Sequence, residues 1–123
     1  MSTIRVDNFG PSAGGTTYSA RGIAKAWVNF NGTGTIAARD SENVSSLTDN
    51  GTGDYTVNFS NAFAASNYCI VGTCGQTTND DAFFYINDSA TTTTSSIRFR
   101  LRTHNGNLND AVIVNAGIHG DLA

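Results

Sequence analysis

Three arginines stand at alternate positions, Arg98, Arg100 and Arg102, interleaved with Ile97, Phe99 and Leu101. An extended chain sends alternate side chains to opposite faces, so this spacing predicts a strand with one dry face and one cationic stripe. Guanidinium groups grip carboxylates in paired hydrogen bonds. The stripe therefore suits a structural or subunit contact, and a contact to an anionic glycan is its second use. Tyr18, Trp27, Tyr68 and Tyr85 add aromatic faces that can lie against sugar C–H groups, with neighbouring Asn and Thr to read hydroxyls. The same rings are also ordinary core residues of a β-sandwich. Trp27, Tyr85, Arg98, Arg100 and Arg102 are accordingly the candidate contacts to a receptor or a neighbouring subunit.

Catalytic chemistry finds less support. Asp80 and Asp81 are a carboxylate pair, but neighbours on an extended chain diverge, and glycoside hydrolysis needs two acids across one bond. They read as a solvated turn. His104 and His119 form no HExxH or linked Cys/His pattern, and Cys69 and Cys74 are not spaced as CxxC. The Asp/Asn loops lack the regular EF-hand pattern for calcium. No GxSxG elbow or GxxxxGK[ST] loop is present, so the serines and glycines belong to turns and strands. The expectation is a non-enzymatic chain with no cofactor and no metal.

Composition points the same way. Charged residues make up 14% of the 123, against about a quarter in ordinary domains. Asn, Thr, Ser and Gly supply the remaining polarity, which favours strands and tight turns over helices. A net charge of −3 argues against a nucleic-acid binder, which needs a basic face to replace phosphate counterions. No apolar run is long enough to cross a bilayer, and no secretory signal pattern is visible. The two cysteines give no disulfide framework: a local bridge and two free thiols both remain open.

The elements that must position these residues are short strands. Lys25, Trp27 and Asn29 share one face of a strand over 24–30, and Ala26, Val28 and Phe30 share the other. Asn31-Gly32 is a tight-turn signal leading to a return strand over 35–39. A strand over 43–47 and the turn Asp49-Asn50-Gly51-Thr52-Gly53 lead into Tyr55, Val57 and Phe59, which alternate with polar residues. Phe63 is placed to plug the end of the core. Residues 68–73 read as a mostly buried strand in which Gly72 marks a bulge or close approach. A strand over 82–86 puts Phe83 and Tyr85 opposite Ala82, Phe84 and Ile86, so one aromatic set needs a partner. Asn105-Gly106 turns the chain towards a last strand over 111–118. The fold class is all-β, an antiparallel β-sandwich or jelly-roll-like module of short strands with Asn/Gly turns. Residues 1–22 form an N-terminal extension or intersubunit arm, and residues 23–123 a single β-sandwich domain.

The stretches KAWVNFNGTGT, NVSSLTDNGTGDYTVNF and IRFRLRTHNGNLNDAVIVNAGIHG resemble a domain of tailed-bacteriophage virion proteins. The resemblance runs over about residues 20–121 and is carried by Trp27 to Gly32, Asp49 to Tyr55 and Val112 to Ala116. It implies a tail-fibre receptor-binding head domain that recognises a bacterial surface polysaccharide or protein. It also implies a homotrimer located in the virion, in contact with other virion proteins. A capsid-decoration or assembly protein on the capsid surface is the alternative. The resemblance supplies no receptor-contact residues.

Overall fold

The structure is a computed structural model that describes residues 1–10, 12–75, 82–86 and 92–123. Ten strands are found among them: β1 (Asn8–Phe9), β2 (Tyr18–Ser19), β3 (Ala26–Asn31), β4 (Ala37–Glu42), β5 (Val44–Gly51), β6 (Asp54–Phe59), β7 (Cys69–Gly75), β8 (Ala82–Tyr85), β9 (Ser96–Thr103) and β10 (Ile113–His119). One 3₁₀ turn, Ala20–Gly22, is capped by the Ser19 side chain. No described helix is long and apolar enough to cross a membrane.

Two four-stranded antiparallel sheets form the body. The front sheet runs β4-β3-β10-β7 and the back sheet β5-β6-β9-β8, while β1 and β2 make a separate ribbon. Each central strand contributes one apolar stripe to the space between the sheets. Ala26, Val28 and Phe30 come from β3, and Val114, Ala116 and Ile118 from β10. They meet Tyr55, Val57 and Phe59 of β6 and Ile97, Phe99 and Leu101 of β9. The period-two pattern thus produces an antiparallel β-sandwich whose inner faces interdigitate.

Aromatic rings join the two layers. Phe30 meets Tyr55 edge-on, with centroids 5.2 Å apart, and both rings approach Phe99. Phe84 stacks on Phe99 at 4.4 Å. That ring can lie against the front sheet only because Gly72 faces it: a Cβ on Gly72 would stand 2.3 Å from the Phe84 ring. Gly72 is a close-approach glycine. At one end, Phe63 is 1% exposed and packs with Phe59 and Tyr68, closing the core as its position in the chain suggested.

Several local expectations change. The Asn31-Gly32 pair does not form the positive-φ turn; Gly34 takes that conformation at φ 62°. Gly32 is needed for space, since a Cβ there would lie 2.7 Å from the Tyr55 hydroxyl and 2.9 Å from the Ala111 carbonyl. The return strand is later than expected and ends at Glu42. Asn43 alone then carries the chain from the front sheet to the back, at φ 55°. Asn tolerates this left-handed conformation better than most residues, and its side chain both accepts from the Asn61 backbone N–H and donates to the Asn61 carbonyl. The strand over 68–73 is not mostly buried; β7 alternates exposed and half-buried residues because it is an edge strand covered on one face only.

Among the described residues, three side-chain contacts tie the N-terminal segment to the body. Lys25 Nζ donates to the Ala20 carbonyl at 2.9 Å, Arg21 pairs with Asp121 at 2.7 Å, and His119 Nδ1 lies 3.1 Å from the Gly22 carbonyl. Ile4, Val6, Phe9 and Tyr18 stay exposed.

Candidate functional site

The candidate contact residues divide between two surfaces. Tyr85, Arg98, Arg100 and Arg102 share the outer face of the back sheet, and Trp27 lies on the outer face of the front sheet. Strand register explains the division: β6 and β8 flank β9, whereas β3 pairs with β4 and β10.

On the back face, Asp54 of β6 is in register with Arg100 of β9, and Arg100 with Tyr85 of β8. Arg98 Nε and one of its terminal nitrogens donate to the two oxygens of Asp54 at 2.7 and 2.8 Å, and Arg100 Nε donates to Oδ2 at 2.7 Å. The Arg98 hydrogen bonds, supported by Arg100, hold the Asp54 carboxyl below its ordinary pKa against the opposing effect of burial. The same contact raises Arg98. Arg102 lies 4.7 Å from the centre of the Tyr85 ring, a cation–π arrangement. The stripe is therefore a half-buried face with an internal, buried counter-ion. Asp54 is the member that sequence reading missed. Its parity placed it on the outer side of β6, but nothing local says that β6 lies beside β9.

On the front face, successive rows cross the sheet. Gly117 of β10 pairs with Trp27 on one side and Val71 of β7 on the other. The next row holds Asn29, Asn115 and Thr73 in register. These side chains are bonded in series: Asn29 Nδ2 donates to Asn115 Oδ1, and Asn115 Nδ2 donates to Thr73 Oγ1 at 3.1 Å. A β-bulge between Asn29 and Phe30 leaves Arg39 without a register partner. Bulges re-aim side chains, and here Arg39 reaches over β3 to donate to Asn29 Oδ1 at 3.3 Å and to the Val112 carbonyl at 2.6 Å. Between the rows lies a groove of about 340 Å³, lined by Trp27, Asn29, Val71, Thr73, Asn115 and Gly117 and by the backbone between them. Trp27 is 38% exposed beside it. It is a surface residue rather than a core anchor.

Tyr18 is exposed on the ribbon, where its ring lies 6.0 Å from Phe9. Tyr68 is committed to the core: its hydroxyl lies within 3.0 Å of the Thr93 and Ser96 carbonyls, and burial pushes its pKa up to about 12. Asp80 and Asp81 lie outside the described residues.

A larger cavity of about 730 Å³ opens where the N-terminal segment meets the body, lined by Arg21, Tyr68, Cys69, His119 and Asp121 among others. Cys69 is in register with His119 across the β7–β10 ladder. His119 Nδ1 faces a carbonyl, which can only accept, so that nitrogen carries the proton. Both cysteines are free, and burial raises the Cys74 thiol. His104 is exposed in the turn after β9. Among the described residues, no group of three or more His, Cys, Asp or Glu side chains could hold a metal ion.

Comparison with known proteins finds no matching family model, no matching curated protein and no matching solved structure.

Proposed function

We propose that this chain is a non-enzymatic bacteriophage virion module, a tail-fibre head domain that recognises a bacterial surface glycan or protein. The observation that carries the reading is the front face. A half-exposed tryptophan stands beside a groove whose polar rim is already ordered by side-chain hydrogen bonds. Such a surface recognises through shape and directed hydrogen bonds, without a reactive group. The resemblance of the three stretches quoted above to virion proteins supplies the biological setting. Several copies in a trimer would multiply weak contacts, because each further contact forms at high effective concentration.

A second reading is a capsid-decoration or assembly module. The exposed Ile4, Val6, Phe9 and Tyr18 of the N-terminal segment favour it, since apolar residues left on a surface suit a neighbouring subunit. Two measurements separate the readings. Adsorption of the purified chain to host cells, lost when the surface glycan is stripped, supports attachment. Stoichiometric binding to capsid shells without host adsorption overturns it in favour of decoration. Locating the chain in an assembled virion by cryo-electron microscopy decides between fibre and capsid directly.

A further inference from the structure

We infer that the groove between Trp27 and Val71 is a subsite for a single uncharged pyranose ring, an inference that rests on the attachment reading. The trough exists because the central residue of its row, Gly117, has no side chain: Trp27 flanks it on one side, and on the other Val71 leans in until its Cγ2 would stand 3.2 Å from a Cβ at Gly117. Walls two strand spacings apart are separated by about 9–10 Å at their Cα atoms. An α-helix with its side chains is about 10–12 Å across and does not fit between them. A flat ring laid against the indole does. The volume of about 340 Å³ is at the lower end of small-molecule sites. A stable protein partner would instead cover roughly 800 Å² of each surface.

The hydroxyl-reading side is the row of Asn29, Asn115 and Thr73, one side-chain repeat along the strands, or about 7 Å. Arg39 donates to Asn29, Asn29 to Asn115, and Asn115 to Thr73, so the row is oriented before any ligand arrives. Each asparagine amide has a second N–H, and the Thr73 hydroxyl, already accepting from Asn115, keeps its own proton. The row thus keeps unused donors among the residues that line the groove. The hydroxyl and ring oxygens of a pyranose are acceptors, and its C–H face matches the Trp27 ring. No residue lining the groove is titratable. The lining itself is neutral, and the one cation bonded to the row, Arg39, is engaged by Asn29 and the Val112 carbonyl, so an uncharged sugar is the preferred occupant.

The test uses the full chain, labelled with ¹⁵N, titrated with methyl glycosides of glucose, galactose, mannose, N-acetylglucosamine and N-acetylgalactosamine. At least one should shift the Trp27 indole N–H, the Asn29 and Asn115 side-chain amides and the Gly117 backbone N–H saturably. Affinity should be unchanged between low salt and about half-molar salt, because no charge is neutralised. Trp27→Ala and Gly117→Val should each weaken binding at least about tenfold while the remaining amide spectrum keeps its dispersion. If Gly117→Val fails to fold, Trp27→Ala and Asn115→Ala carry the test. The inference is overturned if none of the five glycosides moves these resonances. It is also overturned if binding falls steeply with salt, or if the same resonances shift with protein concentration alone, which would make a second copy of the chain the occupant. Host adsorption that survives Gly117→Val at full strength overturns the subsite and leaves the attachment reading standing. Glycoside binding in the groove without host adsorption upholds the subsite and removes the attachment reading.

Discussion

Replacing Tyr55 by Phe isolates one hydroxyl group at the centre of the sandwich. The Tyr55 side chain is fully buried, and its hydroxyl lies 2.6 Å from Asp110 Oδ1 and 2.7 Å from the Gly32 carbonyl. Asp110 Oδ1 also accepts from the Gly53 backbone N–H at 2.7 Å. The hydroxyl thus ties together the β3–β4 connection, the turn before β6 and the segment before β10. Burial and the Asp110 carboxylate both push its pKa up, so it stays a neutral donor. Phenylalanine keeps the ring and its contacts with Phe30 and Phe99. The single O–H proton serves one of these two acceptors at a time, so what is lost is one hydrogen bond, worth about 1.5–3 kcal/mol where the charged Asp110 accepts it. Because Asp110 keeps the Gly53 N–H, the net cost should be about 2–3 kcal/mol. That is a large share of the 5–15 kcal/mol typical of a domain, and corresponds to a fall in Tm of roughly 10 °C. Guanidinium denaturation should show a lower midpoint with an unchanged slope. A double-mutant cycle with Asp110→Asn should give a coupling of about 1 kcal/mol or more. A change below about 0.5 kcal/mol, or strict additivity with Asp110→Asn, would refute the hub.

Three further outcomes follow from the packing. Asp54 has its carboxyl pKa lowered on folding, so its contribution to stability is present above the unfolded value of about 3.9 and is lost as pH falls through the lower folded value. Asp54→Asn should remove that part of the acid dependence; parallel stability curves for the two proteins down to about pH 2 would contradict it. Gly72→Ala should cost about 1–3 kcal/mol by pushing Phe84 off Phe99, and Phe84→Leu in the same chain should recover part of it, as read by denaturant midpoints. Cys69 is exposed, whereas Cys74 is half-buried with its thiol donating to the Ala82 carbonyl at 3.2 Å. Iodoacetamide should therefore alkylate one thiol quickly and the other slowly in the native protein, and mass spectrometry after mild oxidation should find no bridge between them.

Which strands form was legible where alternation is strict and both neighbours in the sheet are present. Period alone puts Tyr55, Val57 and Phe59 of β6, and Ile97, Phe99 and Leu101 of β9, on a core face, and they lie in the core. Alternation also put Trp27 with Asn29, away from Val28 and Phe30. What parity cannot encode is which strand lies alongside. Asp54 and Arg100 are distant in sequence, and Asn29 and Asn115 more so, yet each pair stands in direct register. The groove needs Gly117 between Trp27 and Val71, a juxtaposition of three strands that no local spacing announces. Gly32 misled for a different reason. A glycine after asparagine is read as a turn, whereas this one makes room for the Tyr55 ring arriving from the other sheet. The cysteines resolve simply: five residues apart on one strand, about 16 Å at the strand rise, they are too far apart to bond, since a disulfide needs Cα atoms within about 7 Å.

The place of β10 in the front sheet has a consequence for how the chain is made. It is the last of the described strands in sequence, yet it sits between β3 and β7 and, among the described residues, is what joins them in a ladder. A ribosome adding about 5–20 residues per second needs on the order of 5–20 s to go from the end of β3 to the end of β10. During that interval β3 pairs only with β4 and its other edge has no partner, and isolated hairpins are marginal in water. The nascent chain must keep the open backbone edge of β3 from pairing elsewhere until the final strand emerges. A ribosome stalled before residue 113 would hold a front sheet in two disconnected pieces.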